Sequence, residues 1–137
     1  MCFVLLVEDS STFRKSMREM LTLRFPALNI EEASDGEEAL QKLENTNPDI
    51  IFMEIRLPGK NGLEVTKKIK EVKSDVEVVI LTSYDIPEYR AAALCSGASH
   101  FFTKGNSGSD EIATIVRSIC QKRGKDLCAG FQVPEVR

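Results

Sequence analysis

The stretch PDIIFMEIRLPGKNG, residues 48–62, restricts the possible folds of this chain more than any other segment. Ile50, Ile51, Phe52 and Met53 form an unbroken apolar run, the pattern of a strand buried on both faces. Strands of that kind belong to sheets covered by helices on both sides. Leu57 to Gly62 is turn chemistry, with Pro58 fixing its own φ and Gly59, Asn61 and Gly62 able to take positive φ. Glu54 stands where the strand runs out. In an open α/β sheet that edge is where ligands bind.

The rest of the chain repeats the alternation. Cys2 to Val7 reads as a short apolar strand ended by Glu8 and Asp9. Ser10 or Ser11 can cap a helix whose apolar positions are Phe13, Met17, Met20, Leu21 and Phe25, stopped by Pro26. A weaker strand follows, roughly from Leu28 to Ala33. Asp35 and Glu38 make a capping-box pattern for a helix with Ala39, Leu40 and Leu43 on its buried stripe. After the central strand, Leu63, Thr66, Ile69 and Val72 mark a third helix. Val76 to Leu81 is a fourth strand ending at Thr82 and Ser83. The fourth helix spans about Pro87 to Cys95, with Gly97 as its C-cap. Ser99 to Thr103 is the fifth strand, followed by Lys104 and Gly105. A last helix runs from about Gly108 to Lys122, with Ile112, Ile115, Val116 and Ile119 toward the core. Five strands alternating with five helices predict a parallel sheet with right-handed crossovers, whose order periodicity leaves open.

With 137 residues the chain is large enough for one well-buried domain, read here as residues 1–122. Residues 123–137 have no clear period and read as a linker or truncated junction, in which Leu127 and Phe131 are able to dock. A net charge of −3 gives no electrostatic reason for this piece to bind nucleic acid. No run approaches the roughly 18 apolar residues of a membrane span, and the start MCFVLLVED reads as a strand, not a signal peptide. Cys2, Cys95, Cys120 and Cys128 are scattered without metal-ligand spacing, and free thiols in a reducing cytoplasm are the expectation. His100, alone beside two phenylalanines, reads as a partly exposed strand residue.

Four strand ends carry polar groups that an apolar strand does not need: Glu8 and Asp9, Glu54, Thr82 and Ser83, and Lys104. One such end would only mark where a strand meets solvent. Four at the matching edge predict an acidic pocket with one ammonium. Clustered carboxylates repel unless a cation joins them, and the fitting ion is a hard one, Mg²⁺ or Mn²⁺.

In these features the chain resembles the receiver domains of bacterial two-component response regulators. The resemblance covers about residues 2 to 122 and rests on VEDS at 7–10, PDIIFMEIRLPGKNGLE at 48–64, VVILTS at 78–83 and SGASHFFTK at 96–104. It implies a flavodoxin-like, CheY-like doubly wound (βα)5 fold with strand order 2-1-3-4-5. It also implies that Glu8 and Asp9 bind the divalent ion, with Glu54 and the backbone carbonyl of Arg56 as further ligands. Glu54 falls on the phosphoacceptor position, Thr82 on the switch hydroxyl, Phe101 on the aromatic switch position and Lys104 on the lysine that contacts the phosphoryl group. Pro58, Gly59 and Gly62 shape the loop.

The chain departs from the family at the acceptor itself, where the family has aspartate and this chain has Glu54. Leu57, Pro58, Gly59 and Gly62 around it are family-like, so the departure reads as a point substitution in a working receiver and not as a decayed site. One extra methylene carries the carboxylate outward by roughly 1.3 Å. In-line phosphoryl transfer loses about 10²-fold for an error near 1 Å, so phosphorylation at Glu54 is expected to be weak or absent, and the chain is not expected to act as an enzyme. The metal site is expected to be weakened. The same reach brings negative oxygens toward Lys104 and Thr82, a partial imitation of an acyl phosphate. Gly105 stands where a proline often follows the lysine, as in family members attached to a helix-turn-helix output. The resemblance further implies a cognate sensor histidine kinase, a DNA-binding output domain after the tail, transcriptional control and a cytoplasmic location. It also implies homodimerisation through the fourth helix, fifth strand and fifth helix. The competing reading is a pseudo-receiver that binds protein partners without phosphoryl chemistry. A hydrolase using the acidic pocket is disfavoured because no Gly-rich phosphate loop is present.

Overall fold

A computed structural model of the chain describes residues 1–105 and 108–127. Its elements are β1 (Phe3–Val7), α1 (Ser11–Arg24), β2 (Asn29–Ala33), α2 (Gly36–Leu43), β3 (Ile50–Met53), α3 (Gly62–Val72), β4 (Glu77–Thr82), α4 (Pro87–Ser96), β5 (His100–Thr103) and α5 (Ser109–Lys122). The strands form one parallel sheet in the order β2-β1-β3-β4-β5. No helix among the described residues is long and apolar enough to cross a membrane.

The two-residue period of the strands sorts the core into two layers. Val4 and Leu6, Ile50 and Phe52, and Val79 and Leu81 face one side, where α1 and α5 bring Met17, Leu21, Ile112, Val116 and Ile119. Leu5 and Val7, Ile51 and Met53, and Val78 and Ile80 face the other, covered by α2, α3 and α4 through Ala39, Leu43, Val65, Ile69 and Ala93. β1 and β3 are therefore apolar at every position and β4 from Val78 to Leu81, as strands covered on both faces require.

Local signals set the helix ends. Ser10 caps α1 by accepting from Phe13 N, and Asp35 caps α2 by accepting from Glu38 N at 2.8 Å. Glu38 does not close the reciprocal half of the box; its carboxylate accepts from Ser34 N instead. Asn61 caps α3, accepting from Leu63 N and Glu64 N. In α3 the buried stripe is Val65, Thr66 and Ile69, while Val72, placed on it by the spacing, is 70% exposed because the helix ends there. Gly97 closes α4 at φ 102°, a backbone state that a side chain would strain.

The expectation for two of the cysteines fails. Cys2 and Cys120 are not free thiols but a disulfide that joins the residue before β1 to the last turn of α5, with Cα atoms 6.0 Å apart. The sheet lays β1 beneath the end of α5, so residues 118 apart in sequence meet inside the first core layer. Cys95 is a free, exposed thiol on α4. Cys128 and Phe131 lie outside the described residues. Leu127 does dock, buried in the same layer as the disulfide. Arg123, just past α5, reaches across the N-terminal edge of the sheet to Asp49 at 3.5 Å. Asp49, a buried carboxylate also accepting from Phe3 N at 2.9 Å, ties the starts of β1 and β3 together.

Candidate functional site

The polar strand ends converge because the parallel ladders continue one residue past each strand. Glu8 N donates to Ala33 O, Glu54 N to Val7 O and Lys104 N to Thr82 O, so the three side chains are indexed to one edge of the sheet. The strand order reverses direction between β1 and β3, the crevice where open α/β sheets bind ligands. Glu8 and Glu54 flank that crevice. Lys104 reaches in from beyond β5.

Gly62 frames Glu54 from behind. Its N–H donates to Ile55 O at 2.7 Å, and a Cβ built on it would lie 2.0 Å from the carbonyl oxygen of Glu54. The start of α3 therefore rests directly on the backbone of residue 54, an approach only glycine permits.

Lys104 is the centre of the pocket. Its ammonium donates to Glu8 Oε1 and, at 3.0 Å, to Glu54 Oε1. The ring of Phe13 covers another side, with its centroid 4.2 Å from Nζ. The remaining carboxylate oxygens are held by the backbone: Glu8 Oε2 accepts from Ser10 N at 3.1 Å, and Glu54 Oε2 from Ile55 N at 2.6 Å. Side-chain exposure is 7% for Glu8, 6% for Glu54 and 15% for Lys104. Burial pushes the Glu8 carboxyl above the usual range, Lys104 and the Ser10 amide pull it back in part, and Asp9 beside it raises it again. Burial works against the Lys104 charge, but Glu8 and Glu54 outweigh it and hold the ammonium above its ordinary pKa. Two carboxylates share one charged lysine.

The other predicted residues are placed less uniformly. Asp9 is exposed at the rim. Thr82 is fully buried, and its hydroxyl accepts from Tyr84 N at 3.4 Å. Phe101 is half-buried against the second core layer, with the Arg90 guanidinium 4.6 Å over its ring. Pro58 and Gly59 are exposed in the loop, Gly59 at φ 76°. The side chain of Arg56 has a role that sequence reasoning did not find. Its guanidinium lies 3.7 Å over the ring of Tyr84 and donates to Tyr89 OH at 3.5 Å, bridging the loop after β3 to the start of α4. Phe13 was read only as a core position. An aromatic one helical turn beyond an acidic pair was the available signal.

As a donor set the pocket offers hard carboxylate oxygens, the chemistry of a Mg²⁺-class ion. Among the described residues, however, no three His, Cys, Asp or Glu side chains are gathered in a cation-holding group, because Glu8 and Glu54 are turned onto Lys104. The cavity that Glu8 and Glu54 line has a volume of about 10 Å³, room for a water molecule and no organic substrate.

The sequence profile of the response regulator receiver domain matches residues 4–117. The transcriptional regulatory protein DegU of Brevibacillus brevis is 29% identical over 118 residues, covering 86% of this chain and 50% of that protein. The response regulator GacA of Pseudomonas viridiflava is 31% identical over 116 residues, 85% of this chain and 54% of its own length. The chain thus spans about half the length of the curated relatives it matches. Among solved structures, the response regulator TrrA of Thermotoga maritima in complex with Mg(2+)-BeF superposes with a TM-score of 0.77 at 31% identity, covering 87% of this chain and 99% of that one.

Proposed function

The chain belongs to the response regulator receiver domain family, and from that premise we propose that it is a receiver whose switch is biased by a lysine contact that Glu54 makes without a phosphoryl group. It is the receiver domain of a two-component system with Glu54 at the phosphoacceptor position, where the longer side chain alters or abolishes normal phosphotransfer. The observation that carries the reading is the 3.0 Å contact from Lys104 to Glu54. In a phosphorylated receiver that lysine meets the phosphoryl group. Here it meets a carboxylate with about one charge and two acceptor oxygens in place of about two charges and three.

The imitation is half made. Glu54 engages the lysine, but the Thr82 hydroxyl accepts from Tyr84 N and Phe101 stays half-buried under Arg90. We read Thr82 and Phe101 as the elements that would move inward together, shifting a two-state equilibrium that a partner reads on α4, β5 and α5. Mg²⁺ or Mn²⁺ would be held by Glu8, Asp9 and Glu54 with the Arg56 carbonyl, once Lys104 gives up Glu8. It would neutralise charge on a transferring phosphoryl group. A sensor histidine kinase as donor, a DNA-binding output domain following residue 137, dimerisation through α4-β5-α5 and a cytoplasmic location complete the proposal. The receiver domain is taken as residues 1–122, and the segment 123–137, whose Leu127 packs back on it, as the link to the output domain.

The test is intact mass after incubation with acetyl phosphate and Mg²⁺, comparing this chain with Glu54→Asp. A phosphoryl adduct on the aspartate form alone supports a competent receiver held out of phosphotransfer at one position. An adduct on both makes Glu54 a working acceptor and overturns the geometric argument. An adduct on neither favours the pseudo-receiver reading, in which the pocket serves protein recognition only.

A further inference from the structure

The Cys2–Cys120 disulfide lies at the edge of the sheet opposite the Glu8–Glu54–Lys104 pocket and takes no part in it. Both residues are fully buried, so the bond answers to no surface role. A domain with two complete core layers does not need a staple to fold. The bond sits where the hold on α5 is decided. At its start α5 has no side-chain cap, and its polar tie to α1 is the exposed contact of Arg24 with Asp110 and Ser109. Ile112, Ala113, Val116 and Ile119 supply the apolar face, and the bond fixes the last turn to the start of β1. Backbone bonds cluster on the same two residues: Cys2 O accepts from Asn29 N at 2.9 Å, and Cys120 O from Lys125 N at 2.9 Å.

We propose that Cys2 and Cys120 form a thiol–disulfide exchange site, closed in an oxidised protein and opened by a cellular dithiol, and that its state sets how firmly the C-terminal turns of α5 are held to the sheet. In a reducing compartment such a bond is characteristically transient and redox-sensing. The donor thiolate bonds to one sulfur of the pair, the S–S bond breaks, and the released cysteine thiolate takes a proton. The donor's second thiol then displaces the other cysteine, which also takes a proton. The protein gains two electrons and two protons, and the dithiol leaves as a disulfide. Because both sulfurs are buried, attack follows local opening around them, including the segment after α5, where Gly124 turns the chain at φ 68° and Leu127 packs into the same core layer. The inference does not depend on the reading of Glu54.

The full chain, purified without reductant, is unfolded in urea and alkylated with iodoacetamide before and after dithiothreitol, and the labelled cysteines are located by peptide mass spectrometry. Cys95 should label in both samples, Cys2 and Cys120 only after reduction. Hydrogen exchange of the folded protein should then show amides from Ser118 to Lys122 exchanging at least about tenfold faster in the reduced form, with Ile50 to Met53 unchanged. The double variant Cys2→Ala, Cys120→Ala should match the reduced pattern and ignore dithiothreitol. Labelling of both cysteines without reductant, or equal exchange in α5 in the two redox states, overturns the proposal. The exchange comparison on the unaltered chain stands whether or not the variant folds.

Discussion

Replacing Lys104 by methionine keeps the length and apolar stem of the side chain and removes its ammonium. Glu8 and Glu54 then face each other at 7% and 6% exposure with no cation between them. Removing one partner of a buried ion pair costs about 3–5 kcal/mol. The low end applies, because Glu8 keeps the Ser10 amide and Glu54 the Ile55 amide. For a domain of this size about 3 kcal/mol lowers Tm by roughly 10 °C. The deficit must also depend on pH. Burial already raises the Glu8 carboxyl, and Lys104 is among the groups pulling it back, so the variant raises it further. A carboxyl raised in the folded state favours folding below its unfolded value, near 4.5, and loses that advantage as pH rises through its folded value. The deficit should therefore be largest at pH 7.5 and shrink toward pH 5. Urea unfolding followed by far-UV circular dichroism suits a chain without tryptophan and avoids the salt screening of guanidinium. Adding Glu8→Gln to Lys104→Met should recover part of the loss at pH 7.5. A loss below about 1 kcal/mol, the range of a solvated surface pair, would refute the reasoning. So would a deficit unchanged between the two pH values.

Three further outcomes are expected. Lys104→Met should bind Mg²⁺ more tightly than the unaltered chain in isothermal titration calorimetry, because the ammonium no longer competes for Glu8 and Glu54; equal or weaker binding would remove Lys104 as the competitor. Gly62→Ala should cost about 1–3 kcal/mol or more in urea unfolding, since the new Cβ meets the carbonyl of Glu54, and a neutral result would show that α3 can back away. Burial alone would raise the Glu32 carboxyl, but Arg18 and Arg14 together hold it below the usual range. Its contribution is thus present above about pH 4.5 and lost as pH falls through its folded value, and Glu32→Gln should cost under about 1 kcal/mol at neutral pH and progressively less as pH falls below 4.5.

The parts of the fold legible in the sequence are those dictated by local chemistry. The apolar run at 50–53, a serine cap on α1 (Ser10, of the two serines that could serve), the Asp35 half of the capping box on α2 and the turn at Gly97 each follow from a few adjacent residues. Glu54, Glu8 and Lys104 were legible as a group because strand ends in a parallel sheet must share an edge. The disulfide was not legible, since pairing Cys2 with Cys120 requires knowing that α5 returns over β1, and spacing carries no trace of that. Arg56 escaped for a similar reason: its partners, Tyr84 and Tyr89, lie on another loop and the next helix. Val72 continued the helical period but fell on the last turn, where α3 no longer has core beneath it.

The contact of Gly62 with the Glu54 backbone divides the site into a part that cannot vary and a part that can. At position 62 any Cβ meets main chain, so substitutions there should be felt first as a loss of folding stability. At position 54 the side chain leaves that frame and points into the crevice, where its carboxylate is met by Lys104 and by the Ile55 amide. The acceptor position is thereby free to explore signalling states that its own scaffold does not select against. A receiver can lose or change its chemistry in one nucleotide step, from aspartate to glutamate, and remain a fully folded member of its lineage.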